Sequence, residues 1–158
     1  MSAARKPERK TGAAAVLVAG VIAAAVAIVA PWEGRELKPY RDMVGVWTVC
    51  YGSTNAPMRE YTAAECDAML KTELGGYLDG VGECVRAPVT TDQMAALLSL
   101  AYNAGVSAIC RSTLMGQLNA GEPAAVWCQQ FDRWVYAGGR VVQGLVNRRR
   151  AEKELCLR

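Results

Sequence analysis

Hydrophobic residues follow three different patterns along this chain. Residues 12–30 form an unbroken apolar run of 19 residues, made of nine Ala, five Val, two Ile, two Gly and one Leu. Residues 40–51 are rich in β-branched and aromatic residues around Gly45, which is typical of two strands joined by a turn. Beyond residue 61, apolar residues recur at helical spacing between capping and glycine signals. The pattern therefore predicts an apolar helix, a hairpin and a helical region.

The predicted hairpin follows residues 32–37, a short segment of helical composition that begins beside Glu33. If the chain turns about Gly45, Asp42 lies opposite Thr48, and residues directly opposite on an antiparallel pair point to the same face. One face of the hairpin would then present an acid and a hydroxyl. The second acid, Glu33, would arrive from the adjacent helical segment.

Capping and glycine signals divide the rest of the chain into helices. Thr62 and Glu65 form a capping box that opens a helix running toward Leu78. The most apolar of the later helices is capped by Thr90 or Thr91 and stops at Gly105. Three more helices are predicted: one from Ser112 to residues 119–121, one from Pro123 through Phe131, and one after Gly138 and Gly139 that ends near Cys156. These elements predict an α+β fold in which a cleft separates a small hairpin lobe from a larger helical lobe.

Length and charge limit the organisation and the partners of the protein. With 158 residues the chain can bury one modest core, so we expect one globular domain at 31–158 after an N-terminal segment at 1–30. The formal charge is +3, and the basic residues cluster at the two ends. This distribution favours lipid headgroups or cell-wall carboxylates as surroundings, and no nucleic-acid partner is expected. We expect a monomer.

The sequence contains no histidine. Histidine-ligated zinc hydrolases, Ser-His-Asp hydrolases and Cys-His peptidases are therefore excluded. What remains for polymer hydrolysis is chemistry by carboxylates, without a metal or a cofactor.

Six cysteines are spread over the globular part, and none lies in the apolar run. Their even number and the lack of a Cys-x-x-Cys pair favour three disulfides over free thiols or a metal site. We expect Cys50–Cys66 to join the hairpin to the first long helix, Cys84–Cys110 to bracket the core helix and Cys128–Cys156 to join the last two helices. The spacing alone does not fix this pairing.

The order Glu33, Asp42, Thr48 stands within the motif EG…YRD..GVWTVCYG. This motif, together with LLSLAYNAG at 97–105, STL at 112–114 and residues 133–156, resembles the phage-type lysozymes of glycoside hydrolase family 24. The resemblance implies a lysozyme-like fold and covers nearly everything after residue 31. Many relatives carry His where this chain has Ser53.

The resemblance implies an inverting muramidase, which would cleave the β-1,4 bond between N-acetylmuramic acid and N-acetylglucosamine in peptidoglycan. In this interpretation Glu33 protonates the leaving oxygen, while Asp42 and Thr48 orient the attacking water. The alternatives are a lytic transglycosylase, which needs the acid but no water held by Asp42, and a membrane-tethered wall-binding protein that does not cut.

Other polar and aromatic residues have two interpretations each. Asn103, by resemblance, faces the cleft and binds sugar, or it caps a helix end. The three arginines at 148–150 either meet the peptide-stem carboxylates of the wall or form a solvated helix face, and we expect the solvated face. Trp47 and Trp134 either pack in the core or serve as sugar platforms, and we expect them in the core.

The apolar run at 12–30, preceded by basic residues, is typical of a membrane-targeting segment with its N-terminus in the cytoplasm. A cleaved signal peptide, a permanent anchor and a signal-arrest-release segment are the three possibilities. The low Leu content favours release, a device known in similar phage endolysins, with cleavage as the alternative. We therefore expect the host inner membrane to hold the protein through residues 12–30 on its periplasmic side, and the released enzyme to work in the periplasm.

Overall fold

A computed structural model describes residues 13–158 of the chain. Its elements, in chain order, are two strands framed by helices, then a run of helices interrupted by a second, very short strand pair. Their bounds are α1 Ala13–Glu33, β1 Glu36–Arg41, β2 Trp47–Cys50, α2 Ala63–Cys84, α3 Thr91–Ala104, α4 Val106–Cys110, α5 Thr113–Asn119, α6 Ala124–Trp127, a 3₁₀-helix Cys128–Arg133, β3 Tyr136–Ala137, β4 Arg140–Val141 and α7 Gln143–Cys156. The predicted α+β arrangement, with a small hairpin lobe and a larger helical lobe, is confirmed.

Helix α1 contains the described part of the apolar run and packs chiefly against α3. Val21, Ala25 and Val29, spaced by four residues, are buried along one face. Within the residues that the structure describes, no helix reaches the length and apolarity needed to cross a membrane. The basic residues of 1–11 and Gly12 lie outside the described residues.

The prediction that Glu33 begins a helical segment at residues 32–37 is wrong. Helix α1 continues through Pro31 and ends at Glu33, and Gly34 then takes a positive φ of 66° that stops the helix. From Glu36 onward the chain is strand β1, because its backbone pairs with β2. Glu33 therefore stands at the C-terminal end of the apolar helix.

Strands β1 and β2 form the predicted antiparallel hairpin, and Gly45 occupies the turn with a φ of 82°. The residue opposite Thr48 is Tyr40 and not Asp42, which corrects the predicted register. Asp42 belongs to the turn instead, where its backbone N–H donates to the carbonyl of Val46.

Helix α2 begins at the predicted capping box of Thr62 and Glu65 but runs past Leu78 to Cys84. Each glycine within it costs up to about 1 kcal/mol relative to Ala. Burial of one stripe offsets this cost, since the buried positions extend as far as Val81.

Helix α3 is the core of the helical lobe, as predicted. Thr90 caps it in a capping box with Gln93, and Gly105 ends it with a φ of 95°. Every residue from 95 to 101 is buried.

The short strands β3 and β4, which turn at Gly138 and Gly139, were not predicted. Helix α7 ends at Cys156, as predicted.

Three disulfides join the six cysteines in the predicted pairs, Cys50–Cys66, Cys84–Cys110 and Cys128–Cys156. They close loops with sequence separations of 16, 26 and 28 residues. Crosslinks of this kind typically stabilise a small domain by about 2–4 kcal/mol each. Cys50–Cys66 fixes the end of the hairpin to α2, so a disulfide crosslinks the two lobes.

Candidate active site

A cleft of about 890 Å³ opens between the chain that follows the hairpin and the helices of the larger lobe. The cleft is lined by residues 51–56, by six residues of α2, by Tyr102 of α3 and by Val106 of α4. Glu33 reaches the cleft from the end of α1. Of the three residues predicted to be catalytic, it is the one that lines this cavity.

The Glu33 carboxylate is held by a buried arginine of α7. Arg148 Nη1 donates to Glu33 Oε1 over 2.6 Å, and the exposed fractions of the two side chains are 5 % and 23 %. The two residues are separated by 115 positions in sequence. The acid is therefore oriented from one side by Arg148 and open to the cleft on the other.

Arg148 belongs to a buried network centred on Glu152, which is fully buried. Arg148 Nε donates to Glu152 Oε1 over 3.1 Å, Arg149 Nε lies 2.7 Å from Oε2, and the Ser99 hydroxyl donates to Oε1 over 2.6 Å. Burial raises the pKa of Glu152, and its contacts with Arg149, Ser99 and Arg148 oppose that shift.

The expectation that residues 148–150 form a solvated face is wrong for two of them. Arg148 and Arg149 are buried, while Arg150 is exposed. The physical reason is that two acids meet the two guanidinium groups inside the protein. Glu152, one helical turn later, pairs with both arginines, and Glu33 pairs with Arg148.

A second carboxylate, Glu73 of α2, lines the same cleft and was not singled out in the sequence. The Ser53 hydroxyl donates to Glu73 Oε1. The Tyr102 hydroxyl lies 2.9 Å from Oε2 and 3.0 Å from the carbonyl oxygen of Tyr51. Burial, and after it the charge of Glu73, raises the pKa of Tyr102, so its hydroxyl stays protonated and available as a donor. Through Glu73, Ser53 is therefore hydrogen-bonded to the helical lobe. The sequence feature that pointed to Ser53 was its position just after the second strand.

We expect Glu73→Ala to lower the free energy of unfolding by about 1–3 kcal/mol, because Ser53 and Tyr102 lose their shared acceptor in a partly buried site. Denaturant unfolding monitored by circular dichroism measures the change. Asp79→Ala removes an exposed carboxylate from the same helix and serves as the control. Equal losses for both variants would mean that the hydrogen bonds of Glu73 with Ser53 and Tyr102 add nothing to the free energy of unfolding.

Asp42 and Thr48 lie on the hairpin and are not among the residues that line the cleft. Asp42 Oδ1 accepts the backbone N–H groups of Val44 and Val46, over 3.0 and 2.8 Å. Thr48 is buried, and its hydroxyl donates to the carbonyl of Val46 over 3.1 Å. The structure therefore places Asp42 at the turn of the hairpin, where it bonds to the turn backbone, and Thr48 on strand β2.

Asn103 lies on the exposed side of α3, where its Oδ1 accepts a hydrogen bond of 3.0 Å from Arg149 Nη1. The helix cap is Gly105, so Asn103 does not cap the helix.

Trp134 packs against the core, as expected. Trp47 is 48 % exposed, contrary to expectation, because it stands next to the hairpin turn. Among the described residues, no group of three or more His, Cys, Asp or Glu side chains is placed to hold a metal ion.

Comparison with known proteins decides the family. Residues 30–152 match the sequence model of the phage lysozyme family. This chain belongs to the phage lysozyme family. The SAR-endolysin of Enterobacteria phage P21 is 38 % identical over 157 residues, which cover 94 % of each protein. The SAR-endolysin of Escherichia phage Mu is 44 % identical over 122 residues, which cover 76 % of this chain and 71 % of the relative.

Solved structures agree with this family. The muramidase domain of SpmX from Asticaccaulis excentricus superimposes with a TM-score of 0.77 at 30 % identity, covering 85 % of this chain and 95 % of that domain. Membership of the phage lysozyme family indicates glycosidase activity of the lysozyme type. The matched range includes Glu33 and Arg148, so the acid and the arginine that orients it both lie within the family domain.

Proposed function

We propose that this protein is a phage or prophage endolysin. It hydrolyses the β-1,4 bond between N-acetylmuramic acid and N-acetylglucosamine in peptidoglycan and thereby lyses the host cell. The observation that carries the proposal is the Glu33 carboxylate, which opens into a cleft of about 890 Å³ and is fixed from behind by Arg148. The relatives named SAR-endolysins support the same biological role.

In the proposed mechanism Glu33 donates its proton to the leaving sugar oxygen. Asp42 stays ionised and, together with Thr48, orients a water for attack on the opposite face of the sugar, which inverts the configuration. An inverting site needs its two carboxyl groups about 6.5–9.5 Å apart, leaving room for that water. The turn contacts of Asp42 support this role, because they are made through Oδ1 and hold the side chain in one orientation.

We expect Asp42→Asn to lower kcat by about 10²- to 10⁴-fold, the usual contribution of a general base. The amide keeps an oxygen that accepts the two N–H groups of the turn, so the melting temperature should change little. Release of soluble fragments from purified peptidoglycan measures the activity. An Asp42→Asn variant with wild-type kcat would remove Asp42 from the mechanism.

A lytic transglycosylase is the second candidate, because Glu33 lines the cleft and Asp42 does not. That reaction uses the 6-hydroxyl of the muramic acid in place of water and leaves 1,6-anhydro ends. Product analysis separates the two enzymes. A wall-binding protein that does not cut would release no fragments at all.

The position of α1 is the basis for a proposal about how the activity of the enzyme is switched on. We infer that residues 12–30 first hold the protein in the host inner membrane and later leave it. Helix α1 ends at Glu33, and packing of α1 against α3 supports the position in which Glu33 meets Arg148. While the segment lies in the bilayer, Glu33 cannot occupy that position. No cysteine lies in the segment, so release alone, without disulfide exchange, activates the enzyme.

Three alanines on the exposed face of α1, Ala19, Ala23 and Ala27, provide a test that leaves the packed face intact. Replacing all three with Leu adds roughly 0.3–0.6 kcal/mol of insertion preference at each position. We expect the triple variant to stay in the membrane fraction and to delay lysis, while the matched triple Ser variant is released early. Fractionation and the turbidity of an expressing culture measure both effects. A shortened, soluble enzyme of normal activity from the Leu variant would instead identify a cleaved signal peptide.

A further inference from the structure

A polar cluster lies inside the helical lobe, behind the acid Glu33. Ser99 is the single polar side chain in the buried stretch of α3. Helix α7 contributes three buried charged residues, Arg148, Arg149 and Glu152. A buried polar group costs free energy unless it is hydrogen-bonded, and a buried charge costs more. The bonds within this cluster therefore decide how its charges act on Glu33.

The Arg148 guanidinium is held from three sides. Its Nε donates to Glu152 Oε1 over 3.1 Å, and its Nη2 donates to the Ser99 carbonyl over 3.2 Å. The Ser99 hydroxyl donates to the same Glu152 oxygen over 2.6 Å and so links these two contacts. Nη1 is thereby directed at Glu33 Oε1, 2.6 Å away. Because the guanidinium is planar and rigid, it cannot turn its charge away from Glu33 without breaking these bonds.

Glu152 is surrounded by donors. Its Oε1 accepts from Arg148 Nε, from the Ser99 hydroxyl and from Arg149 Nη2, the last over 2.8 Å. Arg149 Nε lies 2.7 Å from Oε2. Burial raises the pKa of Glu152, and the two adjacent guanidinium groups keep the carboxylate ionised against that effect. Glu152 therefore places a negative charge directly behind Arg148.

The charges of the cluster balance when Glu33 is counted with them. The guanidinium groups of Arg148 and Arg149 share the carboxylate of Glu152, and Glu33 supplies the second negative charge at the cleft. An opposite charge nearby favours the ionised form of an acid. Arg148 therefore favours loss of the Glu33 proton, whereas the proposed reaction begins with that proton on Glu33. Glu152 opposes the effect, because it neutralises part of the positive charge that Glu33 meets.

Titratable groups of two further helices face Glu33. They are Tyr77 of α2 and Tyr102 of α3, which line the same cleft. Burial, then the charge of Glu73 and then that of Glu33, raise the pKa of both hydroxyls, so both stay neutral at neutral pH. Glu73 is the other charged residue that lines the cleft. Among the described residues, Arg148 is the one that forms an ion pair with Glu33.

We propose that Glu152 is a positioning residue which, through Arg148, allows Glu33 to hold the proton that it donates. This inference rests on the proposed function, in which Glu33 is the general acid. The alkaline side of the pH profile of kcat/KM reports loss of the acid's proton. Glu152→Gln removes a negative charge from behind Arg148, so activity should be lost at a lower pH. Arg149→Gln leaves Glu152 to Arg148 alone, so activity should persist to a higher pH.

The test measures kcat/KM of the purified, oxidised full-length enzyme on soluble glycan fragments of the wall over a range of pH. Each profile is normalised to its own maximum, which removes differences in the amount of folded enzyme. We expect the alkaline midpoint to fall by about one pH unit in Glu152→Gln and to rise by about one pH unit in Arg149→Gln, the usual scale of a neighbouring charge. Circular dichroism confirms that each variant is folded.

Opposite shifts distinguish this role from a structural one, since a loss of packing gives no higher midpoint. Arg149→Lys is the matched control, because it keeps the charge and changes the hydrogen bonds, and its midpoint should equal that of the wild type. An unchanged or lower midpoint in Arg149→Gln would overturn the inference, even if Glu152→Gln does not fold. A folded Glu152→Gln with an unchanged or higher midpoint would overturn it as well. A wild type that cleaves no glycan would instead refute the proposed function, and this inference with it.

Discussion

We expect Glu33→Gln to lose wall-cleaving activity by about 10²- to 10⁴-fold, the range that general acid catalysis contributes. The amide cannot donate a proton to the leaving oxygen, so the loss should appear in kcat. The variant keeps an oxygen that can accept the hydrogen bond from Arg148, and Arg148 keeps its contact with Glu152. Clearing of peptidoglycan suspensions by the purified variant measures the loss.

Glu36→Gln is the matched control for this experiment. Glu36 is an exposed acid three residues further along the chain and forms no ion pair with the described residues. Its variant should cleave as the wild type does. Circular dichroism of both variants confirms that each is folded. A folded Glu33→Gln protein that still clears wall suspensions at the wild-type rate would remove Glu33 from the catalytic role.

The second large effect concerns stability. Glu152→Ala should lower the free energy of unfolding by about 3–5 kcal/mol, because removing one partner of a buried ion pair leaves uncompensated charge. Here two buried guanidinium groups, those of Arg148 and Arg149, lose the same carboxylate. Activity should fall with stability, since Arg148 also orients Glu33. Denaturant unfolding of the purified, oxidised protein measures the change.

Glu154→Ala provides the control, because Glu154 is an exposed acid on the same helix. Replacement of an exposed surface acid usually changes stability by less than about 0.5 kcal/mol. Similar values for the two variants would show that the network around Glu152 does not hold α7 to the core. A large loss for Glu152→Ala alone would confirm that it does.

Local signals in the sequence predicted most of the fold. The capping boxes at Thr62 and Thr90 and the glycine at 105 act within a few residues of themselves, so their effect can be read without the tertiary structure. The hairpin was predicted for the same reason, but its register was not. Asp42 pairs with Val46 across the turn, and its side chain bonds to the same turn, so Asp42 does not stand opposite Thr48.

Long-range contacts explain what the sequence did not reveal. Three adjacent arginines are typical of a solvated face, and the burial of Arg148 and Arg149 becomes evident only when Glu152 and Ser99 meet them. Ser99 is 53 residues away from Glu152. Glu73 was missed in the same way, because its partners Ser53 and Tyr102 lie 20 and 29 residues away. The position of Glu33 at the cleft could be predicted because its family motif is contiguous with the hairpin.

The chemistry of the cleaved ends tests the central claim most directly. Purified peptidoglycan is digested with the full-length enzyme in water enriched in oxygen-18, and the fragments are analysed by mass spectrometry. Hydrolysis by the proposed mechanism predicts new reducing ends that are N-acetylmuramic acid and that each carry one oxygen from the solvent. Fragments with 1,6-anhydro ends, with N-acetylglucosamine at the reducing end, or with cleaved peptides and intact glycan would contradict it.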